Sequence, residues 1–374
     1  MLPAPKSDAA SLADVLRSSS QAIRGESNRL GLPPVDNAVV VLVVGLGAEL
    51  LKSRSGHART MASAFTGKSV IESGFPTTTA AALASLTTGV APGQHGLVGY
   101  TVLDPAHDRV VNQLSGWDDR LDPATWQLAP TLFEQAAAEG VDAIAIGPER
   151  YADSGFTHAV LRGARYLPAG TIADRMQAAL AELRSPGRHL VYLYVPELDL
   201  AAHAHGADSA DWIRALETTD AALAALTAGL GRRDGLLLTA DHGLLDIPEH
   251  NHVLLDDGPL LQGVRFVAGE PRCLQLHVEP GTDADVVAQR WRDAEGDRAW
   301  IATRAEAVAA GWFGAVLPEV LPRIGDVLVA ARKAVAYYDG RVAGSNGRSM
   351  VGQHGSWSPA EVRVPLLRFG AFSR

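Results

Sequence analysis

Residues 38–47 read Ala38-Val-Val-Val-Leu-Val-Val44-Gly45-Leu-Gly47, and this stretch decides the fold. A continuous β-branched run closed by glycines predicts a strand buried on both faces, the usual state inside a parallel sheet. Similar runs recur downstream. Ala143-Ile-Ala-Ile146 ends at Gly147-Pro148, His189-Leu-Val-Tyr-Leu-Tyr-Val195 ends at Pro196, and Gly235-Leu-Leu-Leu-Thr-Ala240 ends at Asp241. Helical spacing fills the intervals, at Ala80–Thr87, Thr131–Glu139, Thr171–Leu183 and Ser209–Leu230, and a further amphipathic helix is expected over Ser11–Ile23. Alternating strands and helices predict an α/β fold with a mostly parallel central sheet and helices on both faces. In such sheets chemistry collects beyond the carboxyl ends of the strands, so those loops hold the candidate residues.

From about Leu260 the pattern changes. Strand-like segments at Gly263–Val267, Cys273–Val278, Trp300–Ala302 and Asp326–Ala330 surround helical ones at Asp283–Ala294 and Arg304–Ala310. We read 260–343 as a small inserted α+β cap, and 1–259 with 344–374 as the core.

Composition excludes several functions. The chain has 374 residues and a net charge of -9, with no strongly basic stretch, so polymeric nucleic acid is not an expected partner. A small phosphorylated substrate, nucleotides included, stays open, because a bound metal supplies positive charge locally. Cys273 is the single cysteine, which rules out an intrachain disulfide or a thiolate cluster and restricts any transition metal to His and carboxylate ligands. The N-terminus has no signal-peptide core and no apolar run is long enough for a bilayer, so a cytoplasmic protein without membrane attachment is expected. Gly45-Leu-Gly47 lacks the third glycine of a dinucleotide fingerprint, since Leu50 stands there, and a nicotinamide cofactor is rejected. The oligomeric state is not legible.

Four motifs follow predicted strands. In Glu197-Leu-Asp199-Leu-Ala-Ala-His203, the acid and the imidazole are four residues apart and share one face of a helical turn. Asp241-His242-Gly243 places both ligand types at a strand end, and Gly352-Gln-His354-Gly355 offers a glycine-flanked imidazole. In Gly74-Phe-Pro-Thr-Thr-Thr79-Ala-Ala-Ala82 a helix is expected to begin at or just after Thr79, which puts a hydroxyl over the free N–H groups of its first turn. Singly, each motif has an ordinary explanation: a solvated helix face, a turn, an N-cap.

Together and in this order they resemble the alkaline phosphatase superfamily, in particular its nucleotide pyrophosphatase/phosphodiesterase-like branch, over about Val39 to Leu367. The resemblance implies two divalent metal ions, zinc by family habit. Asp199, His203 and His354 would hold the first, and Asp241 and His242 with the Thr79 oxygen the second. It implies hydrolysis of phosphodiesters or nucleotide pyrophosphates through a phospho-threonine on Thr79. Tyr100 stands where some relatives place a phosphate-binding Asn, and so is a substrate-binding candidate.

One departure stands out. The family pattern has an Asp ligand to the second metal at the end of the first strand, and here that position is Val44. The second site is therefore expected to be weak, with Mn or Mg as alternatives to Zn. Two other functions stand beside the leading one: a catalytically weak or inactive member acting as a binding protein, and a phosphomonoesterase or phosphonate hydrolase. Arg272, Arg323 and Asp326 in the cap are read as structural.

Overall fold

The computed structural model of the chain describes residues 1–6, 8–256, 258–341 and 346–373. Its central sheet has seven strands, in the spatial order Val70–Glu72, Arg363–Gly370, Asp234–Thr239, Asn37–Val43, His189–Val195, Asp142–Gly147, Arg165–Pro168. The last five run parallel. Arg363–Gly370 is antiparallel to its neighbours on both sides. In Asn37–Val43 all seven residues are buried. Successive side chains point to opposite faces, so both faces must be covered. Helices Ala13–Arg24, Thr79–Thr88 and Leu132–Ala138 pack as one group, and helices Arg59–Ala64, Ile172–Leu183 and Ala210–Ala228 as another. Capping boxes start two of them, Thr131 with Glu134 and Thr171 with Asp174. No helix among the described residues is long and apolar enough to cross a membrane.

Register explains how distant residues converge. Val43 pairs with Val195 and Leu42 with Thr239, so three adjacent parallel strands end at one level. The chain then continues into Val44, into the helix Glu197–His205 carrying Asp199 and His203, and into Asp241-His242. Arg363–Gly370 enters from that same end, because Leu366 pairs with Thr239. The segment before it, which holds His354, must therefore cross the strand ends. Val70–Glu72 pairs with Arg363–Pro365, and its continuation leads to Thr79.

A second sheet has six strands, all antiparallel: Ala299–Thr303, Val327–Ala331, Cys273–Val278, Val264–Glu270, Thr101–Asp104, Arg109–Asn112. Four come from the region read as the cap. The other two form a hairpin that the sequence reading left unassigned. Its alternation (Val102, Asp104; Arg109, Val111) around a Pro-Ala-His-Asp turn carried the signal. Asp246 lies in the short strand Leu245–Asp246 and accepts hydrogen bonds from Ala207 N at 2.9 and 3.1 Å. The expected boundary at 343/344 lies outside the described residues.

Candidate metal centre

Thr79 is the first residue of its helix, and the N-cap, Thr78, makes no side-chain capping bond. The first-turn N–H groups are left available to an anion. The Thr79 hydroxyl lies 3.2 Å from His242 Nε2.

The three histidines share one device. His203 Nδ1 is 2.8 Å from Gly352 O, His242 Nδ1 is 3.1 Å from Gly243 O, and His354 Nδ1 is 2.7 Å from Thr77 O. A carbonyl only accepts, so each Nδ1 carries its proton, and in the neutral imidazole Nε2 presents a lone pair. Backbone carbonyls commonly fix metal-binding imidazoles in this way. His242 and His354 stack with ring centroids 3.6 Å apart, and His203 lies 5.3 Å from His354. One ligand atom from each of Asp199, His203 and His354 lies within 4.8 Å of the others. Gly45 lets the first strand approach this group: its φ is +75°, and a Cβ there would lie 2.9 Å from Asp199 Oδ1.

The carboxylates test whether a cation fits. Asp199 Oδ1 and Asp241 Oδ2 are buried and make no well-formed hydrogen bond. A buried polar atom without a partner is costly, and a divalent ion between these oxygens and the imidazole Nε2 atoms removes that cost. One carboxylate and two imidazoles make an ordinary donor set for Zn or Mn, so the first site fits. The second has Asp241, His242 and the Thr79 hydroxyl, with buried Val44 at the adjoining strand end. It is one anionic donor poorer than the family pattern.

Ionisation follows the same division. Burial pushes Asp199 up, but the His203 charge and hydrogen bond overcome it and hold the carboxylate below its ordinary range. Burial opposes charge on His203, yet Asp199 raises it. Asp241 is pushed up to about 7 by burial and by the facing Asp199, with Gly45 N–H opposing. Burial lowers His242 to about 4 and His354 to about 3, the latter with help from His242. Two of the three imidazoles are thus neutral, as ligation requires.

Several residues near the site were not legible in the sequence. Glu270, at the end of Val264–Glu270, is buried beside Gly355; a Cβ on that glycine would lie 2.4 Å from Glu270 Cγ. Burial pushes its carboxyl up to about 8, partly offset by the Thr78 hydroxyl. Thr77 Oγ1 accepts from Gly355 N at 3.0 Å and donates to Ser356 O at 2.8 Å, tying the Thr79 loop to the His354 loop. Tyr100 follows Gly99 at the start of the hairpin, half-buried, with its backbone beside Glu270. His205 is exposed, 3.6 Å from Asp211, outside the ligand group.

The family model for type I phosphodiesterase / nucleotide pyrophosphatase matches residues 38–357. The chain belongs to that family. The type I phosphodiesterase fold is equally clear among solved structures. Phosphonoacetate hydrolase from Sinorhizobium meliloti 1021, in complex with phosphonoformate, superposes with a TM-score of 0.70 at 16% identity, over 90% of this chain and 91% of that one. Murine ectonucleotide pyrophosphatase / phosphodiesterase 5, in an inactive Thr-to-Ala form in complex with AMP, superposes with a TM-score of 0.65 at 16% identity, over 89% and 88%. Both likenesses are ones of fold. A phosphopentomutase from Shewanella sp. (strain W3-18-1) is 29% identical over 149 residues, 39% of this chain and 35% of that protein. The chain thus spans about a third of the length of the curated relatives it matches first.

Proposed function

We propose that the protein is a metal-dependent hydrolase of small phosphate esters, phosphodiesters or nucleotide pyrophosphates by preference, with Thr79 as the nucleophile. The observation that carries this is the shared tautomer. Three imidazoles present Nε2 to two buried carboxylates, and one of those Nε2 atoms is in contact with the Thr79 hydroxyl.

In this reading Asp199, His203 and His354 hold one divalent ion, zinc by donor chemistry, and Asp241, His242 and the Thr79 oxygen hold the other less firmly, so that Mn or Mg can serve there. Bound ions supply Lewis acidity, acidifying the nucleophile and offsetting phosphoryl charge. The protein's own part is positional. The free N–H groups of Thr79–Thr88 face the non-bridging oxygens of the phosphate, and Tyr100 borders the same space. Thr79 Oγ1 forms the bond to phosphorus as the ester oxygen departs, leaving a phospho-threonine, and water then restores the hydroxyl. Residues 1–259 with 344–374 act as the catalytic core and 260–343 as a cap built on the second sheet. The single cysteine, Cys273, is buried and free, which fits the reducing cytoplasm.

Val44 favours a second reading, a slow or inactive member that binds phosphate esters. The resemblance to phosphonoacetate hydrolase keeps phosphonates among the substrates to try. Purified protein supplied with Zn or Mn should cleave bis-p-nitrophenyl phosphate, and Thr79→Ala should lower the rate by at least about a thousandfold, as loss of a nucleophile does. Mass spectrometry of trapped wild type should find the phosphoryl group on Thr79. A wild type no faster than Thr79→Ala would leave the binding reading in place.

A further inference from the structure

The turn Glu270-Pro271-Arg272 joins two strands of the second sheet and reaches the loops that carry the histidines. Arg272 has no exposed surface. Its Nε donates to Glu361 Oε1 at 2.8 Å and its Nη2 to Glu361 Oε2 at 2.7 Å. Nη1 donates to Lys333 O at 2.9 Å and Val335 O at 2.8 Å. Glu361 is equally buried. Its carboxylate also accepts from Ser356 N at 2.9 Å and from the Ser358 hydroxyl.

Two routes lead from this pair to the candidate ligands. Ser356 and Gly355 are tied to Thr77, whose carbonyl fixes His354 Nδ1. The Glu361 backbone carbonyl accepts from Gly243 N at 2.7 Å, and the Gly243 carbonyl fixes His242 Nδ1. One ion pair from the second sheet therefore stands behind two imidazoles that reach the site from different parts of the sequence.

We infer that Arg272 and Glu361 are positioning residues, whose bidentate pair holds His242 and His354 in the orientation that binds metal. Stability alone is a poor explanation for such a pair. The desolvation of two buried ions roughly cancels their attraction for each other. Geometry is the better explanation, since the guanidinium fork fixes direction as well as distance. Lysine cannot reproduce it. The inference rests on the reading of His242 and His354 as metal ligands.

The test is zinc affinity, measured by calorimetry on the full-length protein, alongside metal-free thermal unfolding and the kcat and KM for bis-p-nitrophenyl phosphate. The double variant Arg272→Met/Glu361→Leu should unfold below the wild-type temperature, because the Ser356 N–H and the Lys333 and Val335 carbonyls lose their buried partners, and while folded it should bind zinc some 10- to 100-fold more weakly, the usual effect of losing outer-sphere support. Its kcat should fall more than its KM rises. Arg272→Lys should show a smaller loss of zinc affinity in the same direction, and it decides the matter if the double variant does not fold. A folded double variant, or an Arg272→Lys protein, that binds zinc as tightly as wild type overturns the inference. A wild type that binds zinc no better than His354→Ala overturns the metal reading itself, and is seen before the pair is touched.

Discussion

The two carboxylates of the proposed metal centre, Asp199 and Asp241, are both buried and ionise oppositely. In the first half of that centre, Asp199 and His203 lie 3.2 Å apart, and each holds the other charged against the cost of burial. In the second, Asp241 faces Asp199 with a neutral His242 beside it, and its carboxyl rises to about 7. Burial alone does not set ionisation here; the nearest partner does. The first half is balanced without a cation. In the proposed reading the second depends on one, and Val44 leaves it with a single carboxylate to attract it.

The largest effect should come from removing the balanced half. Asp199→Asn keeps the shape but takes away the charge that supports His203. Zinc affinity should fall at least about 100-fold, beyond the loss seen for outer-sphere partners, and hydrolysis should fall with it. Calorimetric titration checks this. Undiminished affinity would mean that the triad does not hold the ion.

Restoring the poorer half should have a smaller effect of opposite sign. Val44→Asp adds a buried carboxylate at the end of the strand between those leading to Asp199 and Asp241. Without metal the variant should unfold at a lower temperature than wild type, because a third acid joins two others. With Zn or Mn it should bind a second ion roughly tenfold more tightly, since affinity follows ligand charge. The expected signature is a larger metal-induced rise in melting temperature than in wild type. An equal rise would show that position 44 does not face the second ion.

The same contrast explains what could be read from the sequence. The balanced half was legible because Asp199 and His203 are four residues apart on one helix, Glu197–His205, and such spacing is a local signal. The main sheet was legible for a similar reason: buried parallel strands are continuous apolar runs, and Asn37–Val43, His189–Val195 and Asp234–Thr239 each contain one. The positions of His354 and Glu361 depend instead on the antiparallel entry of Arg363–Gly370, which no periodicity in that segment announces. Arg272 and Glu361 are 89 residues apart in sequence and share no pattern. Arg272 was expected to be structural, and its partner Glu361 could not be named from the sequence. The hairpin Thr101–Asn112 was missed although its alternation was visible, because its strands are only four residues each.

The smallest effect sharpens the comparison from outside the ligand set. Glu270, like Asp241, is a buried acid without a compensating cation, and burial lifts its carboxyl from the ordinary 4.5 to about 8. Between those values the folded protein keeps a proton that the unfolded chain has released. Stability from this group is therefore complete below the unfolded pKa and declines as pH rises toward about 8, by at most about 1.4 kcal/mol per pH unit. Asp241 contributes a decline of the same sign that ends near pH 7. Glu270→Gln keeps the shape, removes the titration and leaves Asp241 in place. Urea unfolding of metal-free protein at a series of pH values should give the variant a shallower decline than wild type, with the difference persisting above pH 7, where Asp241 has largely titrated. Parallel curves would mean that Glu270 is already ionised in the folded protein, with a partner in solution that offsets its burial.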